Sequence, residues 1–102
     1  MALRTVALHP LAAREARAAW RWYARRSLAA AQRFRLAWDH VVQEIETAAE
    51  QGVPYGQSYR WMQLHRFPYL VYYEIDDPQP VFVYAVAHAS HRPGYWLRPR
   101  RP

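Results

Sequence analysis

Two clusters of side chains in this chain are of the types that move protons and hold phosphate. Arg60, His65 and Arg66 lie along one apolar run, and His88, His91, Arg92, Tyr95 and Trp96 close another. Cleaving RNA without a metal requires that the 2′-hydroxyl lose a proton, that the crowded phosphate be stabilised, and that the 5′-oxygen gain a proton. Imidazole titrates near neutral pH and guanidinium stabilises an anionic transition state, so His88 and Arg92 are candidates for catalysis. Tyr95 or Trp96 could stack on a base. Arg60, His65, Arg66, His91 and Trp96 are then candidates for holding a nucleic acid or another target. The same residues also have purely structural uses. His88 can hydrogen-bond within the end of a sheet, and Tyr95 and Trp96 can fold back over the helix–sheet core.

Other chemistries find less support. His88 and His91 are three apart with no third ligand close in sequence, so no metal site is expected. Three glycines cannot build a phosphate-cradling loop. Glu74, Asp76 and Asp77 cluster beside a turn and read as a solvated strand end. No cofactor is implied.

Charge narrows the partners. The net charge is +6, and all 14 basic residues are arginine. Guanidinium makes two-pronged contacts to carboxylate and phosphate and stacks on aromatic rings. A small domain this basic should meet nucleic acid or an acidic protein. With 102 residues, the chain should fold as one domain over residues 1–96, followed by a basic tail over 97–102 that is expected to fray. It has no cysteine, which suits a reducing compartment. No apolar run is long enough to cross a membrane and no secretory leader is evident, so the expected location is the cytoplasm, without membrane contact.

The elements that must position these groups follow from periodicity. Met1 to Leu8 is rich in strand formers. Pro10 opens a helix reaching about Arg26, with Ala12, Ala16, Ala19 and Tyr23 on one face. Arg14, Arg17, Arg21 and Arg25 step along another face, as a solvated stripe or a surface for an acidic partner. Ser27 can cap a second helix running to about Ala49, and Gly52 and Pro54 end it. Tyr59–Phe67, Tyr69–Ile75 and Val81–His88 read as strands, with a tight connection at Pro68 and a turn at residues 76–80. In the last strand, alternation puts Phe82, Tyr84 and Val86 on one face and Val83 and Ala85 on the other. The expected fold is α+β in the order β-α-α-β-β-β. A helical hairpin should pack on one face of a small, mostly antiparallel four-stranded sheet, burying Phe34, Trp38, Ile45, Val71, Val83 and Ala85.

In that order the chain resembles the RelE/ParE superfamily of toxins from type II toxin–antitoxin modules, and more closely its ParE or plasmid-stabilisation branch. The resemblance rests on His9-Pro10 after the first strand, Trp22-Tyr23-Ala24-Arg25-Arg26-Ser27, Ala31-Gln32-Arg33-Phe34, Arg66-Phe67-Pro68-Tyr69 with Val71-Tyr72-Tyr73, and Ala85-Val86-Ala87-His88 leading to Arg92-Pro93. It implies a growth inhibitor neutralised by a cognate antitoxin, for which the Arg14, Arg17, Arg21 and Arg25 stripe is the candidate surface. RelE-like members cut mRNA on the ribosome, whereas ParE-like members poison DNA gyrase. Tyr69 stands where the nuclease branch places Arg, and the second helix carries no lysine, which favours gyrase. His88 and His91 keep a metal-free, ribosome-dependent endoribonuclease as the alternative. Arg92 and Tyr95 match the tail of the nuclease branch, so that reading implies His88, Arg92 and Tyr95 as its catalytic residues. A basic binding module without toxicity is the third reading.

Overall fold

The computed structural model describes residues 3–77, 79–97 and 100. Strand β1 (Val6–Leu8) leads through His9 into α1 (Pro10–Ala24). Pro10 begins the helix where its missing N–H costs nothing, and His9 caps it through Nδ1, which accepts the Leu11 N–H at 3.0 Å. Arg25 and Arg26 turn the chain. Ser27 then caps α2 (Leu28–Ala48), its Oγ accepting from the Ala30 N–H at 3.1 Å. The break is so short that the two helices pack against each other as a hairpin. A 3₁₀ turn, Ala49–Gln51, follows α2.

Four strands complete the chain: β2 (Val53–Tyr55), β3 (Tyr59–Gln63), β4 (Tyr69–Glu74) and β5 (Val81–His88). The expected α+β architecture and helical hairpin are present, but the sheet has five strands in the order β1-β5-β4-β3-β2. The added strand is β2, antiparallel to β3 with Val53 opposite Trp61 and Tyr55 opposite Tyr59. Gly52 and Pro54 read locally as helix breakers, yet a proline suits an edge strand, where its missing donor faces away from the sheet. Gly52 also permits a close approach. A Cβ there would lie 2.0 Å from the Tyr73 hydroxyl, which donates to the Ala49 carbonyl at 2.6 Å. The sheet is antiparallel except where β1 runs parallel to β5, pairing Val6 with Val81 and Leu8 with Val83.

β3 ends at Gln63, earlier than the expected Phe67, because Leu64 to Phe67 form a turn. The Phe67 N–H closes it on the Leu64 carbonyl at 3.1 Å, and Arg66 takes a left-handed φ of 67°. A bulge in β5 corrects the expected alternation. Tyr72 of β4 pairs with Ala85 and Tyr73 with Val83, which leaves Tyr84 as the extra residue. Beyond it the faces exchange. Val81, Val83 and Val86 pack under the helices with Phe34, Val41 and Ile45, while Tyr84, Ala85 and Ala87 face the other way.

The sheet is therefore covered on both faces. On the face away from the helices, Trp96 lies 1 % exposed among Tyr55, Tyr59, Tyr72 and Tyr84. Its ring stacks on Tyr84 at 5.6 Å and meets Tyr59 edge-on at 4.9 Å. Trp38, expected at the centre of the main core, is only half-buried at its margin.

Candidate functional site

Hydrogen bonding at the sheet's end positions the C-terminal cluster. The Ala89 N–H donates to the Pro68 carbonyl at 2.7 Å, which ties the end of β5 to the β3–β4 turn. The chain then folds back, the His91 N–H reaching the His88 carbonyl at 2.9 Å. His88 is half-buried. Its Nδ1 accepts the Ser90 N–H at 3.1 Å and lies 2.7 Å from the Ser90 hydroxyl. Its ring meets Tyr69 edge-on at 5.3 Å, and His91 meets Tyr95 at 5.4 Å. Between these groups and α1 is an open cleft of about 410 Å³, bordered by Glu15, Trp22, Tyr69, His88 and His91.

Glu15 was not among the residues singled out from the sequence, and it organises this corner. One carboxylate oxygen accepts the Val86 N–H at 3.0 Å, a backbone donor just past the bulge and beyond the reach of β1. The Tyr95 hydroxyl donates to the other oxygen at 2.6 Å, and Arg100 grips both at 2.7 and 2.9 Å. Burial disfavours the charged carboxylate, but the bonds from Arg100, Tyr95 and Val86 outweigh it and hold Glu15 below the usual carboxylate range. Burial, together with the bond to Glu15, pushes the Tyr95 phenol far above its ordinary value.

Arg100 is 8 % exposed and also donates to the Tyr84 carbonyl at 3.0 Å. The expected frayed tail falls largely outside the described residues. At Arg100 the chain is held against the fold, and Leu97 packs beside Trp96. Glu15 is the one carboxylate among the arginines of α1, and that isolation was the available signal. Its partner lies 85 positions away, so no local pattern marked it.

The other candidates scatter. Arg92 is exposed on the loop after His91. Trp96 is buried beneath the tyrosines, so its indole face is not presented to a base, and it covers the sheet face opposite the helices instead of the helix–sheet core. Arg60 is half-buried and donates to the Gly52 carbonyl at 2.9 Å. His65 and Arg66 are exposed on the β3–β4 turn, where they border a different groove, beside α2. Arg14, Arg17, Arg21 and Arg25 are all exposed along α1. This arrangement offers an open cleft bordered by two imidazoles and an extended cationic helix face. Tyr95 spends its proton on Glu15, so it is poorly placed as an acid.

Comparison with known proteins places this fold. The family of the ParE toxin of type II toxin–antitoxin systems, parDE, matches residues 6–93, and the chain belongs to that family. A chain of the solved "Chromosomal ParDE TA system from P. aeruginosa" shares the fold, with a TM-score of 0.65 at 16 % identity. The match covers 83 % of this chain and 95 % of that one. No curated protein matches the sequence. Among the described residues, no helix is long and apolar enough to cross a membrane.

Proposed function

We propose that this protein is the growth-inhibiting component of a type II toxin–antitoxin module, that a cognate antitoxin neutralises it, and that it acts by binding DNA gyrase. Membership of the ParE family across residues 6–93 is the observation that carries this reading. The engagement of several catalytic and nucleic-acid-binding candidates within the fold supports gyrase over RNA. Arg60 is engaged with Gly52, Tyr95 with Glu15, and Trp96 is buried, whereas a protein interface can draw on separate arginine and aromatic anchors. The exposed stripe of Arg14, Arg17, Arg21 and Arg25 is the surface assigned to an acidic antitoxin segment.

A second reading, a ribosome-dependent endoribonuclease, rests on His88 and His91 bordering one cleft with Tyr69. Purified protein run side by side in DNA supercoiling and in translation assays separates the two. Inhibited supercoiling with intact mRNA is the expected result. Cleavage of mRNA on the ribosome, abolished by His88→Ala in a folded variant, would replace it. Normal growth on induction of folded protein would favour a non-toxic binding module.

A further inference from the structure

A second groove, larger than the cleft beside His88, is bordered by His65 and Arg66, two of the candidates for holding a target. It runs between α2 and the β3–β4 turn with a volume of about 670 Å³. Tyr23 and Phe67 form its aromatic wall, packed edge-to-face at 4.9 Å, and Ala30 and Ala37 keep it open. Leu36 stands at its border 69 % exposed, an apolar side chain the fold leaves in water. The rest of the border carries Arg33, His40, His65 and Arg66 and no carboxylate, although His40 already meets Glu44, one turn along α2, at 3.2 Å. Arg33 and Arg66 have no ion-pair partner among the described residues.

Arg66 adds an independent observation. It alone among the described non-glycine residues has a positive φ, at the third position of a turn where glycine or asparagine would sit without strain. Its side chain has no hydrogen bond to the described residues that would repay the conformation. Backbone strain of this kind collects where a side chain serves something outside the fold.

We infer that this groove is a docking site for an acidic segment of the target protein, one that seats an apolar side chain on Tyr23, Leu36 and Phe67 and sets carboxylates against Arg33 and Arg66. This rests on the gyrase reading and adds to it the surface that makes the contact. The groove opens beside α2 and the β3–β4 turn, whereas the arginine stripe assigned to the antitoxin runs along α1. Charge complementarity selects the partner's chemistry, since an apolar patch ringed by free guanidinium groups disfavours a neutral or basic segment.

The test uses the full chain, purified gyrase and purified cognate antitoxin. Leu36→Glu and Arg66→Gly are compared with the parent for inhibition of supercoiling, antitoxin affinity and melting temperature. Arg66→Gly removes both the side chain and the strain, so its melting temperature should hold or rise. Both variants should need at least about tenfold more protein to inhibit gyrase, with antitoxin affinity within about twofold of the parent. If the parent inhibits gyrase and both folded variants inhibit it equally well, the docking site is wrong. If the variants instead lose the antitoxin, the groove belongs to that partner and the proposal is overturned. A parent protein that leaves supercoiling untouched would overturn the gyrase reading itself, and this inference with it.

Discussion

Glu15 and Arg100 meet in a two-pronged ion pair, 2.7 and 2.9 Å, that fastens the C-terminal segment to the first helix across 85 positions of sequence. The pair also fixes the Tyr95 hydroxyl and the Val86 N–H, so removing the carboxylate orphans several donors at once. Glu15→Ala should destabilise the fold by about 2–4 kcal/mol, somewhat below the loss for a wholly buried pair because the Glu15 side chain is 23 % exposed. Urea unfolding of Glu15→Ala and Arg100→Ala checks this. A double variant that loses much less than the sum of the two confirms that they act as a pair.

The same pair sets an acid limit. The folded state holds Glu15 ionised to a lower pH than its ordinary value of 4.5. Its stabilisation is complete above that value and fades as pH falls through the depressed folded value. Glu15→Gln should therefore flatten the acid side of the stability curve below about pH 4.5, measured by thermal melts at stepped pH.

An alkaline limit comes from the tyrosines. Burial is the main cause that pushes Tyr73 and Tyr84 up to about 12 from an ordinary 10. A raised phenol favours the folded state while it stays protonated. That stability is fully present below pH 10 and is lost as pH rises through 12. Phenolate absorbance should show late-ionising tyrosines whose titration coincides with unfolding. Tyr73→Phe, which deletes the bond to the Ala49 carbonyl, should cost about 1–2 kcal/mol at neutral pH.

Two tryptophans should differ in weight. Trp96 is enclosed by four tyrosines, and Trp96→Ala should cost about 3–5 kcal/mol, a large part of a small domain's stability. Trp38 sits half-exposed between the helices, so Trp38→Ala should cost clearly less. Chemical denaturation of both variants ranks them, and an equal loss would mean that the outer aromatic cluster adds little.

The cationic face of α1 should govern neutralisation. Arg17→Glu combined with Arg21→Glu should weaken antitoxin binding by about tenfold or more and reduce its dependence on salt. Growth inhibition by the variant should then escape the antitoxin. His88→Ala should leave growth inhibition within a few-fold of the parent. A fall of about a hundredfold without unfolding would point to proton transfer by that imidazole.

Local physics made much of this molecule legible from its sequence. The helical hairpin follows from Pro10, the Ser27 cap and 3.6-residue periodicity, and β4 and β5 follow from runs of β-branched and aromatic residues, each resolved within a few neighbours. The ordered motifs carried the family resemblance, because they reflect the succession of elements more than any one contact. Three features required the assembled chain. β2 exists only because β3 lies alongside to pair with it, against the local message of Gly52 and Pro54. The bulge at Tyr84 reversed the facing of Ala85 and Val86, since a one-residue offset in pairing leaves no trace in alternation. The corner built by Glu15, Tyr95 and Arg100 joins a helix to the far end of the chain. A buried ion pair is selected by three-dimensional proximity and desolvation, which a linear pattern of charges does not encode.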